Sequence, residues 1–450
     1  MKYNLTVAIK KRNQPEFLIW LIIILPFAFG TLFDLLSFPS FFKYVLDAVW
    51  IFLLGIMLKR SKSLLFSGIN VILLSVVIAY LAVTLIVYAF NYQSILYYLW
   101  GIRNNFRYYV FFFACIVFLN QNSIDDYFVL FDKLFWVNFA VCIVQFFVFR
   151  LRGDYLGGIF GVAKGCNAYT NILLVIVAIK SLVYYLNKLE TAWVCIAKCI
   201  AMLVISALAE IKFFFIEFFI ILIMAIFLTS FSWRKLAVVL AGAVSIAVGV
   251  YVLTIVFPTS AEVLSFSGLL DLATSEKGYT SDGDVNRLTT IPIISKMFLT
   301  SVPQKLFGLG LGNCDTAAYS FLQTPFYLKY SSLNYTWFSS AFVFLETGFI
   351  GLTFFFGFFV LVFVLGRKVA RKSGANKIYC YISSIFAICC ILIAIYNSSL
   401  RMESGYMAYF VLALPFVESA KPQGDVVENN LKQTFESQET LGWERKRRFR

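Results

Sequence analysis

Apolar residues fill this chain in blocks of about the 20 residues that one helical crossing of a bilayer needs. The blocks run over Phe17–Phe33, Phe41–Met57, Ser67–Phe90, Tyr98–Leu119, Tyr127–Phe149, Thr170–Leu186, Ala192–Leu208, Phe213–Phe231, Leu236–Phe257, Phe342–Leu365, Ile378–Tyr396 and Gly405–Phe416. They predict about twelve helices, the last one short and the fourth interrupted by Arg103 and Arg107. One connection between blocks is long, Pro258 to Ser331. It carries Asp282-Gly-Asp284-Val-Asn286-Arg287-Leu288 and then Gly308-Leu-Gly310-Leu-Gly312-Asn313. It re-enters the apolar region through Asn334-Tyr-Thr-Trp337 and Glu346-Thr-Gly348-Phe-Ile-Gly351. Polar, Gly-rich backbone at a bilayer surface is costly unless it lines a cavity or binds something, so a site is expected in this loop.

Composition agrees with the pattern. With 61% hydrophobic residues, 14% charged residues and a mean hydropathy of +0.83, a soluble fold would have nowhere to hide its apolar surface. The expectation is an all-α, polytopic integral membrane protein in four regions. Residues 1–257 hold helices one to nine, and 258–341 form the large loop with re-entrant or amphipathic helices. Residues 342–417 hold helices ten to twelve, and 418–450 form a basic tail. Lys10, Lys11 and Arg12 before the first block imitate a signal peptide, but no small-residue cleavage site follows, so the first helix is read as retained.

Lysine and arginine set the orientation. With a cytoplasmic N-terminus, the inner connections collect Lys59, Arg60 and Lys62, then Arg234 and Lys235, then Arg367, Lys368, Arg371, Lys372 and Lys377, and finally the tail Arg445 to Arg450. Both termini are then cytoplasmic, and the long loop is outside, in the periplasm or its equivalent. This bias accounts for nearly all of the net charge of +14, so anionic membrane lipids rather than nucleic acid are the expected partners of the tail.

Absences narrow the chemistry. The chain has no histidine, which removes a His zinc site, a Ser-His dyad and a His general base. Most of its nine cysteines fall in apolar blocks, and Cys166 and Cys314, both in connections, are the pair left free to bridge. Neither a metal nor a cofactor is expected. What remains is a set of cations on the outer side. Arg103 and Arg107, at i and i+4, share a helix face; Arg150, Arg152, Lys164, Lys212, Arg287 and Arg401 sit in other outer connections. Guanidinium forks match phosphate oxygens bidentately and keep their charge near lipid, so their convergence would make a pyrophosphate clamp. Scattered, they would be interfacial anchors.

Three stretches resemble the O-antigen polymerase (Wzy) family and the related O-antigen ligases. They are Gly157-Gly-Ile-Phe160-Gly161 with Asn167; Arg287 with Leu288, Ile291, Ile294, Met297 and Phe298 and then Gly308 to Asn313; and Asn334 followed by Glu346-x-Gly348-x-x-Gly351. The resemblance implies a fold similar to the GT-C glycosyltransferases and a large periplasmic loop between helices nine and ten. It also implies essential arginines facing an undecaprenyl-pyrophosphate-linked oligosaccharide in the inner membrane, in a pathway with a flippase and a chain-length regulator. Ligases carry a histidine just before the position of Asn334; here the stretch reads Tyr330-Ser-Ser-Leu-Asn334, which favours a polymerase.

The chemistry needs no metal. A polyprenyl-pyrophosphate sugar brings its own leaving group, so the protein must neutralise charge growing on pyrophosphate and orient an acceptor hydroxyl. Arg103, Arg107 and Arg287 are the first candidates for that field, with Arg150, Arg152, Lys212 and Arg401 behind them. Without histidine the base must be a carboxylate: Asp284, Glu346 and Glu210 lead, ahead of Asp154, Asp282 and Glu403. Asp284 is equally placed to cap a helix starting near Val285. Gly308, Gly310 and Gly312, with Asn313 and Asn334, are read either as a loop approaching a sugar or diphosphate or as a plain turn, and Tyr335 and Trp337 as stacking surfaces for sugar rings. The rival class is a lipid-linked oligosaccharide flippase, for which Lys198 in mid-helix is the one suggestive feature.

Overall fold

The computed structural model describes residues 13–60, 66, 68–91, 93–229, 235, 285, 287–317, 319–372 and 374–417, with a few positions between 242 and 255. The described positions of the ninth apolar block are helical, and every other block is a helix. They are α1 (Gln14–Gly30), α2 (Val45–Arg60), α3 (Gly68–Asn91), α4 (Ile95–Phe118), α5 (Gln121–Phe147), α6 (Asn167–Leu186), α7 (Ala192–Leu208) and α8 (Lys212–Leu228). Short helices α9 (Thr290–Met297), α10 (Val302–Phe307) and α11 (Pro325–Tyr330) follow, then α12 (Ser339–Ala370), α13 (Lys377–Tyr396) and α14 (Gly405–Ala413). Most of the ninth block lies outside the described residues, as do Asp282, Asp284, Asn286 and the tail 418–450.

Among the described residues seven helical stretches are long and apolar enough to cross a membrane: α1 continued to Asp34, α2 with the turn before it from Phe41, and α3, α5, α6, α12 and α13. Among the described residues no strand occurs. This is the helix complement of a membrane protein.

Burial separates the core from the lipid-facing shell. α6 and α14 are enclosed along nearly their whole length, as expected of helices apolar on all sides. Aromatic rings join α14 to α4 and α12: Tyr409 stacks on Tyr108 (5.5 Å), meets Tyr109 edge-on (5.4 Å) and stacks on Phe358 (5.9 Å). α2, α3 and α5 instead expose Ile51, Phe52, Ile78, Leu85, Val137 and Phe147, the surface a hydrocarbon environment would cover.

α12 is two helices joined across Gly348, whose φ of 62° and ψ of −163° interrupt the helical ladder. Carbonyls freed by such a break need partners inside a bilayer, and the glycine run supplies them: the Leu309 and Gly310 amides donate to the Leu345 and Glu346 carbonyls, both at 2.9 Å. At Gly308 a Cβ would stand 2.3 Å from the Glu346 carbonyl carbon, and at Gly312 one would stand 1.9 Å from the Tyr97 carbonyl oxygen. These glycines therefore approach protein backbone, wedging the loop between α4 and α12, and the reading of a sugar- or diphosphate-facing loop gives way to a packing role. Val285, expected to begin a helix, instead donates its amide to the Leu333 carbonyl (3.2 Å), and the helix starts at Thr290. Ile291, Ile294 and Phe298 turn into a small core with Phe342 and Leu345, while Leu288 and Met297 are exposed.

Candidate functional site

α4 carries the site. Arg103 and Arg107 lie 8 and 12 positions past its first residue, about 12 to 18 Å along the axis. Charges that deep require partners, and each has them. Asp47 of α2 takes Arg103 as a fork, accepting from Nε at 3.0 and 3.1 Å and from Nη2 at 2.8 Å. The guanidinium also lies against the rings of Trp100 (4.7 Å) and Tyr44 (5.3 Å). From Arg103 the network continues through the Asn104 side chain to Asp315, by bonds of 2.5 and 2.6 Å. Asp315 faces Arg401 at 3.8 Å, and the Arg401 guanidinium covers the Phe342 ring at 3.3 Å.

Arg107 occupies the centre. Its Nη2 donates to the Tyr108 hydroxyl (2.6 Å), which donates onward to the Met402 carbonyl (2.7 Å). The nearest carboxylates are Asp47 at 3.9 Å and Glu403 at 4.0 Å, beyond hydrogen-bond length. Its Nε and Nη1, and Nε of Arg401, are buried donors without an acceptor. Burial pushes the Glu403 carboxyl up, but Arg107, Lys43 and the Tyr169 hydroxyl, which donates at 2.5 Å, together outweigh it and hold the group below its ordinary value. Glu346 completes the set: one oxygen accepts from the Cys314 amide (3.1 Å) and the other is buried without a partner. Three guanidinium groups and four carboxylates thus meet where the 310–316 segment and the 397–404 turn close over α4. A small cavity lined by Asn104, Asn105, Tyr108, Leu400 and Arg401 adjoins them.

Convergence holds for Arg103, Arg107, Arg401, Glu346 and Glu403, and fails for the other candidates among the described residues. Arg287 is exposed and lies 4.4 Å from the Tyr396 ring, which stacks on Phe213 (4.2 Å); no ion pair among the described residues joins it to the cluster. Arg150 and Arg152 are exposed, Arg152 against Phe146 (5.7 Å). Lys212 and Glu210 pair with each other at 3.0 Å. Asp284 lies outside the described residues. Asn313 braces the glycine run, donating to Gln93 (3.2 Å) and the Leu309 carbonyl (2.7 Å). Asn334 forms a left-handed turn. Tyr335 is 1% exposed and donates to the Cys314 carbonyl (2.7 Å), so it offers no face to a sugar. Trp337 is partly exposed, with the Lys164 ammonium 5.1 Å from its ring. Cys166 and Cys314 are free and buried, and burial pushes both thiols up, Cys166 to about 12, so neither serves as a nucleophile. Lys198 is not a lone charge: it contacts Asp132 (2.9 Å) and Glu190 (3.1 Å), which also pair with Lys180.

Two members escaped the sequence reading. Asp47 is the one acid in the α2 block, and the apolar run hid it. Asp315 directly follows Gly312-Asn313-Cys314, where the glycines drew attention first. An acid alone inside an apolar run is the signal that finds Asp47. No family model matches the chain, and no curated protein matches it.

Proposed function

We propose that the protein is a polysaccharide polymerase that joins polyprenyl-pyrophosphate-linked oligosaccharide units, of O-antigen or capsule type, at the outer side of the inner membrane. The unspent donors of Arg107 and Arg401 carry this reading: a buried guanidinium with two free N–H-bearing nitrogens is built to accept an anion, and a leaving pyrophosphate is the anion that lipid-linked sugars release. Arg103 supplies further field, with Asp47 orienting it. Glu346, with one oxygen unpaired beside Arg401 and Asp315, is the base for the acceptor hydroxyl. On this reading the chain has about twelve spans on a GT-C-like plan, with anionic lipid at the inner face and a flippase and chain-length regulator as pathway partners.

Orientation rests on Lys59, Arg60, Arg367, Lys368, Arg371 and Lys372, which end α2 and α12 away from the arginine cluster. A periplasm-active reporter inserted within 260–324 is expected to be active and one within 368–377 inactive; the reverse pattern would put the cluster on the cytoplasmic side and end this reading.

A lipid-linked oligosaccharide flippase is the second reading, favoured by the break of α12 at Gly348 and by charges set deep in α4, both features of transporter sites. Deleting the gene separates the readings. Loss of a polymerase leaves each surface acceptor carrying a single repeat unit, because export and ligation continue. Bare acceptors with accumulated lipid-linked units would overturn it, and the membrane side of accumulation would then choose between flippase and ligase.

A further inference from the structure

Away from the arginine cluster, α6 and α8 bury a second polar pair. Glu217, the sixth residue of α8, and Asn171 of α6 are both 0% exposed. The Asn171 amide faces the carboxyl at interaction range, yet no contact between them reaches hydrogen-bond geometry, and no other group bonds the two Glu217 oxygens or the two polar atoms of Asn171. On the same helix as Glu217, Phe214, Phe218, Ile221 and Leu222 are all buried. The titratable groups of α13 that feel the Glu217 charge are Cys389, Cys390 and Tyr396. Among the described residues no lysine or arginine forms an ion pair with Glu217, whereas the buried cations Arg107, Lys180 and Lys198 each have a carboxylate within 4.0 Å.

Four orphaned polar atoms on two facing side chains are what an incomplete hydrogen-bond count produces. An ionised carboxylate only accepts, so it can take an N–H from Asn171 but leaves the amide oxygen without a donor. A carboxylic acid supplies the missing O–H. One proton therefore closes a ring in which the Glu217 O–H donates to the Asn171 Oδ1 and the Asn171 Nδ2 donates to the other Glu217 oxygen. We propose that Glu217 and Asn171 form an intramembrane proton-binding site, with the proton held on the carboxyl and capped by the amide. An intramembrane acid with this setting is where a helix bundle carries a proton rather than a fixed charge. The proposal is independent of the polymerase reading.

Infrared difference spectroscopy of the full-length protein in lipid nanodiscs tests it. The wild type at neutral pH is expected to show the carbonyl stretch of a protonated carboxyl that Glu217→Gln lacks. In Asn171→Leu, which keeps the acid and serves as the second variant should Glu217→Gln not fold, that band should shift as the acid loses its amide partner. Identical wild-type and Glu217→Gln spectra in the carboxylic-acid region would overturn the proton site. A band that stays in place in Asn171→Leu would overturn the pairing.

Discussion

On the proposed polymerase function, Arg107→Ala is expected to stop polymer formation in a purified system supplied with lipid-linked repeat units, and Arg287→Ala to leave most of it. Arg107 is 2% exposed, between Asp47 and Glu403, and keeps two donor nitrogens unused; Arg287 is exposed and makes ring contacts only with Tyr396 and Phe338 among the described residues. Losing one charge-assisted contact to a developing pyrophosphate costs about 2 to 4 kcal/mol, on the order of a hundredfold or more in rate. Losing an exposed cation–π contact costs about 0.5 to 1 kcal/mol of stability. Removing Arg107 also takes a cation from beside Glu403, although Tyr169 still bonds Glu403 and Arg103 still holds Asp47, so some loss of stability is expected and inactivity of the alanine variant alone is ambiguous. Arg107→Lys separates the two effects, because it retains the charge that Glu403 needs but loses the planar fork. The expected result is a thermal unfolding midpoint near wild type with turnover still lowered at least tenfold. Full turnover in Arg107→Lys, or loss in Arg287→Ala with Arg107 variants active, would remove Arg107 from the centre of the mechanism.

The helices were legible because each apolar block must satisfy its own backbone in lipid, and only a helix does so within one segment. The site was legible by half. Arg103 and Arg107 announce a shared helix face through their spacing, and Arg401 was at least among the candidates. Their counter-ions were not visible, since pairing Asp47 with Arg103 joins positions 56 residues apart and Asn104 with Asp315 positions 211 apart. Arg287 misled for the opposite reason: a polar loop context says that a charge is solvated, and it does not say which way the loop folds. The glycine run misled in a third way. Positive φ at Gly308, Gly310 and Gly312 is a statement about conformation, and the partner at close range is the chain's own backbone at Gly308 and Gly312 and the Gln93 side chain at Gly310. The proton-site pair is illegible in sequence, because Asn171 and Glu217 acquire meaning only when α6 packs on α8.

Gly312→Ala is expected to destabilise the fold by roughly 3 kcal/mol or more, combining overpacking with a left-handed backbone that alanine resists. The contact is reciprocal. A Cβ at Gly312 meets the Tyr97 carbonyl at 1.9 Å, and one at Gly101 meets the Gly312 amide nitrogen at 2.6 Å, so neither side has room to yield by rotating a side chain. Pushing the loop off α4 also strains the bonds on either side of it: Gln93 to the Leu311 carbonyl (2.7 Å), Trp100 to the Thr316 carbonyl (3.2 Å) and Asn104 to Asp315 (2.6 Å). The last of these belongs to the arginine network, so the substitution should lower activity as well as the unfolding midpoint. Gly357→Ala in α12 is the control, since a Cβ there meets nothing within 4 Å and alanine favours a helix. It should leave both activity and midpoint at or above wild type. A Gly312→Ala protein that unfolds and turns over like Gly357→Ala would mean that the loop does not lie against α4, and the roof over Arg103 and Arg107 would have to be built from other residues.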